Sequence, residues 1–228
     1  MKTRRSLSAL TVVTLVLLAG CGPLASGGGT SKTTTPTPTL PQPTDTTAPQ
    51  QLTFVQDPMS APDTYDWTHQ GSCGSDASDG FHIDTSQVCV APDQITSFSD
   101  GTVSIDARQT SGTLLQGYAL IFRASGSGPL PDFYALLIDG NGKWRAMKLV
   151  NGQASFFTPF TYTAAIHRGL RATNTLKVVM TGSHFDLYVN GVKVGQFDDS
   201  GLATGVPGVL GGPGISVVFS NFRMQVAS

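Results

Sequence analysis

After residue 100, apolar and polar residues alternate with a period of two through most of the chain. The clearest stretch runs from Asn174 to Phe222. Leu176, Val178 and Met180 point one way, with Lys177 and Thr181 on the other side. Phe185-Asp186-Leu187-Tyr188-Val189 repeats the pattern, and Val192, Val194 and Phe197 continue it after Asn190-Gly191. Ile215, Val217 and Phe219 follow a Gly/Pro-rich passage. Such alternation between turn residues predicts antiparallel strands. Asn-Gly supplies the two positive φ values of a type I′ hairpin.

The same pattern predicts more strands upstream. Leu52-Thr53-Phe54-Val55 is a short one, and Phe81-His82-Ile83 and Val88-Cys89-Val90 are strand-like around an irregular stretch, Asp57 to Gly80. Gly101 to Arg108 alternates with Val103, Ile105 and Ala107 inward. Gly117 to Phe122 is apolar on both faces, as expected of a strand in mid-sheet. Phe133 to Ile138 and Lys143 to Val150 flank Asp139-Gly140-Asn141-Gly142, read as a type I′ hairpin, and Asn151-Gly152 makes another turn. Ala164 to Ala172 fits either a short helical turn or an irregular crossover. No other stretch has helical periodicity. The prediction is an all-β, antiparallel two-sheet sandwich over residues 51–228, large enough for one core.

Residues 1–50 follow another logic. Lys2, Arg4 and Arg5 precede an apolar core, Leu10 to Leu18, too short for the ~20 residues of a membrane-spanning helix. It ends in Leu18-Ala19-Gly20-Cys21, which resembles the lipobox of bacterial lipoproteins. The resemblance implies a signal peptide over residues 1–20 and a lipidated Cys21 at the mature N-terminus. The expected location is the cell membrane, anchored by lipid and facing out of the cytoplasm. Two acyl signals or more anchor stably. Residues 22–50 are rich in Ser, Thr, Pro and Gly and nearly free of large apolar side chains. Such a segment cannot offset the entropy of ordering, so it reads as a spacer.

Composition narrows the function. Only 13% of residues are charged and the net charge is -1, which excludes the basic excess a nucleic-acid partner requires. All acidic residues are aspartates, since the chain has no glutamate. Outside the cytoplasm the two cysteines left after lipidation, Cys73 and Cys89, are expected to pair. Closing that loop of about 15 residues is worth roughly 3 kcal/mol. A metal site would need more ligands at short spacing than His69 or His82 supply.

Gly117-Tyr118 to Phe122-Arg123, Asp132-Phe133-Tyr134 to Ile138, Asn151-Gly152, Asn174 to Val178, Leu187 to Gly191 and Val218 to Arg223 together resemble the concanavalin A-like lectin/glucanase jelly rolls. The laminin-G-like domains and the domain named for 3-keto-disaccharide hydrolases are the nearest in kind. The resemblance implies a jelly-roll fold. It leaves function open among lectin, hydrolase and accessory module. Glycanases of this fold use paired glutamates in the pattern Glu-x-Asp-x-x-Glu, which a chain without glutamate cannot reproduce. There is no Gly-x-Ser-x-Gly elbow and no His-Glu-x-x-His zinc motif. Asp198-Asp199 read as an exposed turn. Some laminin-G-like domains bind calcium, but Asp139 to Gly142 is too short for a Ca²⁺ loop of known spacing, so no cofactor is expected.

The candidate ligand-binding set is Arg123, Tyr134, Trp144 and Lys148. If Leu120 and Phe122 face the core on one strand and Met147 and Leu149 on another, Arg123, Trp144 and Lys148 share the outer face. An exposed Trp flanked by cations would stack a pyranose and bond its hydroxyls. The competing reading has Trp144 covering the sheet and Arg123 paired with Asp132 or Asp139. Trp67 is expected to plug the sandwich end beneath the disulfide loop. The function expected is a lipid-anchored surface protein that binds a carbohydrate or cell-wall component without catalysis. The alternatives are a glycoside hydrolase of the 3-keto-disaccharide type and a structural module with no small ligand.

Overall fold

The computed structural model describes residues 52–62, 65–67, 73–126 and 130–227. Residues 1–50, with the expected signal peptide, lipidated Cys21 and spacer, and His69 lie outside the described residues.

The described residues form fifteen strands: β1 (Leu52–Asp57), β2 (Ser75–Ala77), β3 (Gly80–Ile83), β4 (Gln87–Val90), β5 (Gly101–Gly112), β6 (Gly117–Ser125), β7 (Asp132–Asp139), β8 (Lys143–Val150), β9 (Gln153–Phe156), β10 (Thr161–Tyr162), β11 (Thr173–Thr181), β12 (His184–Val189), β13 (Val192–Asp198), β14 (Val206–Gly211) and β15 (Ile215–Ala227). One sheet runs β13-β12-β11-β5-β15-β3-β2, with β1 also on β15; the other runs β10-β8-β7-β6-β14-β4, with β9 also on β8. The pairings are antiparallel. The chain is a two-sheet jelly roll, as its alternation predicts. Ala164 to Ala172 is the irregular crossover, with no helical turn.

The inward residues meet between the sheets. Val103, Ile105, Leu176, Val178, Phe185, Leu187, Val217 and Phe219 come from the larger sheet, and Tyr118, Leu120, Phe122, Tyr134, Leu136 and Ile138 from the smaller. A second apolar cluster, including Ala119, Ile121, Phe133, Ala135, Met147 and Leu149, lies on the other face of the smaller sheet. Strand β6 is therefore apolar on both sides, as its sequence suggests.

The turns divide into two kinds. Asn151 and Gly152 have φ of 51° and 73°, and Asn190 and Gly191 have 51° and 79°, as type I′ requires. The β7–β8 turn differs from expectation. Gly142 has a φ of 96° but Asn141 is not left-handed, and the Gly142 amide bonds the Asp139 carbonyl at 3.2 Å. This is a type I turn closed by a left-handed glycine. Asp139 selects it by taking the amides of Asn141 and Lys143 on one carboxylate oxygen, at 3.0 and 2.8 Å.

Cys73 and Cys89 form the expected disulfide and tie the irregular stretch to β4. Trp67 is fully buried between Phe81 and Phe222, and its indole N–H donates to Asp57 at 2.7 Å.

Candidate functional site

Arg123 is the least expected side chain in the molecule. It sits on β6 next to Phe122, and strict alternation would turn it to the far face of the sheet. The register between β6 and β7 shifts between Phe122 and Ser125, and Arg123 has a φ of 50°. This bulge lets Phe122 and Arg123 both point inward. Arg123 is consequently 2% exposed and sits 4.7 Å from the Phe185 ring centroid.

A buried guanidinium must have its donors met. Nε and Nη2 donate to the Ser99 carbonyl at 3.3 and 2.8 Å, Nη2 also to the Gly182 carbonyl, and Nη1 to the Leu202 carbonyl at 3.0 Å. Asp100 lies 3.6 Å away. Burial lowers the guanidinium pKa, opposed by the negative potential of Asp100 and Tyr134. The expected partners Asp132 and Asp139 are otherwise engaged: Asp132 accepts the Asn151 amide, and Asp139 holds its own turn.

Tyr134 and Lys148 meet beside it, on Asp199. The Tyr134 hydroxyl donates to Asp199 and accepts the Leu202 amide at 2.9 Å. Lys148 Nζ reaches both carboxylate oxygens of Asp199, at 2.8 and 3.0 Å. The Gly201 amide adds a third donor at 2.8 Å. Burial pushes the Tyr134 hydroxyl up to about 12, reinforced by its bond to the carboxylate. Burial also works against ionisation of Asp199, but the bonds from Lys148, Tyr134 and Gly201 outweigh it and hold its pKa below the usual carboxylate value. Leu202 links the two halves, with its amide on Tyr134 and its carbonyl on Arg123.

Three loops close over this network at one end of the sandwich: Ser99-Asp100 before β5, the Gly182-Ser183 turn between β11 and β12, and Ser200 to Ala203 after β13. Together with Arg123 they line a cavity of about 300 Å³. Asp100 is half open to it, with Oδ1 fixed by the Gly182 amide at 2.8 Å. Phe98 and Gly205 exchange backbone hydrogen bonds at 3.1 and 3.2 Å and hold two of the loops together. The walls thus carry three serines and a carboxylate over a fixed cation. The rest of the accessible wall is apolar, so the cavity combines a mostly apolar surface with a few fixed polar groups, as small-ligand sites do.

Of the four expected site residues, Arg123, Tyr134 and Lys148 converge here, but not on an open outer face. Trp144 does not join them. On β8 the even positions Trp144, Ala146 and Lys148 face between the sheets, and Met147 and Leu149 lie on the far side. Trp144 is 5% exposed and its indole packs on Gly195 of β13. The expected exposed stacking ring is a core residue. It lies four positions from Lys148, about 13 Å along a strand. Asp199, expected in an exposed turn, is instead half-buried and bonded to Lys148 and Tyr134, and Asp100 was not among the expected residues. Asp199 had one local signal, a Gly two positions on that favours an Asx-type turn.

No family model matches this sequence, and no curated protein matches it. Solved structures do. The carbohydrate binding module CBM66 from Bacillus subtilis superposes with a TM-score of 0.57 at 22% identity, over 67% of this chain and 90% of that one. The apo Crh5 transglycosylase gives 0.51 at 9% identity, over 77% and 85%. At these identities the likeness is one of fold, the two-sheet antiparallel sandwich.

Proposed function

We propose that this chain is a lipid-anchored extracytoplasmic protein whose β-sandwich binds a carbohydrate or cell-wall component without catalysis. The observation that carries the reading is the cavity over Arg123. Its volume is at the lower end of small-molecule sites, ~300–1,000 Å³, and Ser99, Asp100, Ser183 and Ser200 line it. Sugars are held by a few polar groups fixed in place before binding, and here the fixing is done by Arg123 and the Asp199 network. A donor remains as well. Of the five guanidinium N–H groups, one on Nη1 has no partner among the described residues.

Non-catalysis is supported at Asp199, the carboxylate joined to the Arg123 cluster through Leu202. Its pKa lies below the usual carboxylate range. A glycosidase acid needs the opposite shift. The Asp199 carboxylate is in addition occupied by Lys148 and Tyr134.

A glycan array probed with the purified protein tests the reading. Binding to at least one neutral glycan is expected. Asp100→Asn, which keeps the bond from the Gly182 amide, should weaken that binding by about tenfold or more, the cost of one charge-assisted hydrogen bond. Binding unaffected by both Asp100→Asn and Ser183→Ala would exclude this cavity as the site.

A further inference from the structure

From Gly140 to Phe185 the sequence contains no carboxylate, yet it carries Lys143, Arg145, Lys148, Arg168, Arg171 and Lys177. In a chain of net charge -1 this is a strong local segregation of charge. Lys148 is neutralised by Asp199. Lys143, Arg145 and Arg168 have no ion-pair partner among the described residues. The one nearby carboxylate, Asp139, is 3% exposed and turned to backbone amides.

These three cations lie among exposed rings at the sheet edge that β9 and β10 form beside β8. Arg145 sits 3.9 Å from the Phe156 ring centroid and 4.2 Å from that of Phe160. Arg168 sits 5.1 Å from the Tyr162 ring. Tyr162 pairs with Lys143 across the β8–β10 ladder, and Phe156 with Met147 across β8–β9. Phe156, Phe160 and Tyr162 are 54%, 36% and 52% exposed. Exposed apolar groups gathered in one patch mark interaction sites.

We infer that this edge is a docking strip for an acidic polysaccharide, one whose sugar rings carry carboxylates. Each unit of such a polymer offers an apolar C–H face to an aromatic ring and a carboxylate to a guanidinium, and the strip presents the two complements side by side. Arginine suits the task because its planar fork pairs with carboxylates while lying on an aromatic ring. A flexible acidic peptide would meet the charges but not the row of rings. The strip uses none of the residues of the cavity over Arg123 and does not rest on the reading of that cavity.

The test is titration of the full-length chain in detergent with polygalacturonate, with dextran, poly-glutamate and dextran sulfate as comparisons. Polygalacturonate is expected to bind, more weakly as salt rises from 50 to 500 mM because exposed charges are screened. Arg145→Gln with Arg168→Gln should weaken it at least tenfold, and Phe156→Ala with Tyr162→Ala at least fivefold. Lys193→Gln should leave it within twofold. Circular dichroism identical to the parent establishes that the variants are folded, and Arg168→Gln alone, at an exposed position, should still give a threefold loss. No binding of polygalacturonate, or equal losses in the Lys193→Gln variant, would overturn the proposal. So would equal affinity for poly-glutamate or dextran sulfate with no dependence on the rings, since that is bare charge attraction.

Discussion

Asp199 shows how one carboxylate organises a site at the scale of single residues. It collects Lys148, the Tyr134 hydroxyl and the Gly201 amide, and its side chain is 21% exposed. Because these contacts favour the charged form, its folded pKa lies below the unfolded value of about 3.9. Its contribution is therefore complete above that unfolded value and is lost as pH falls through the lower, folded one. Asp199→Asn should cost about 1.5–3 kcal/mol at pH 7, the range for hydrogen bonds to a charged group. The deficit should shrink on acidification toward pH 2. Urea unfolding of both proteins at pH 7 and at acid pH measures it, and a deficit independent of pH would contradict the assignment. The turn to Gly201 had a local signal, but the pair with Lys148 was not legible in the sequence, because Lys148 and Asp199 are 51 positions apart and periodicity carries no information on such pairs.

Strands were the level at which the sequence spoke most clearly. The alternation in β5, β11 and β12 gave their inward faces, since one side of each is polar. β8 defeated the same reasoning. Trp144 and Ala146 are apolar on one face and Met147 and Leu149 on the other, so period two locates the strand but not its orientation. β6 hid its bulge in the same way, and that bulge sends Arg123 inward. The orientation of Trp144 has a direct check at Gly195, where an added Cβ would run into the indole. Gly195→Ala should destabilise by about 1–3 kcal/mol, the cost of overpacking a filled core. Thermal unfolding reads it; an unchanged midpoint would mean that the indole points elsewhere.

Taken whole, the molecule is a jelly roll with two separate surfaces of chemical interest: the loop-lined cavity at one end and the aromatic, cationic edge of β8. The class of fold was readable because so many short alternating runs end in Gly, Asn and Pro. The cavity was not, since its walls come from loops at residues 99–100, 182–183 and 200–203 that meet only in three dimensions. The proposed anchoring rests on the basic start, the apolar core Leu10 to Leu18 and the Leu18-Ala19-Gly20-Cys21 that ends it. Cys21→Ala should move the protein from the membrane to the soluble fraction, because acyl chains supply about 0.8 kcal/mol of affinity per buried CH₂; full membrane retention of the variant would count against a lipid anchor.

Carbohydrate binding at the sandwich end is the central claim, and amide chemical shifts during titration with an array-positive neutral glycan test it most directly. The account predicts saturable shifts concentrated at Ser99, Asp100, Gly182, Ser183 and Ser200. Shifts confined to other parts of the sandwich, or none at saturating glycan, would contradict it.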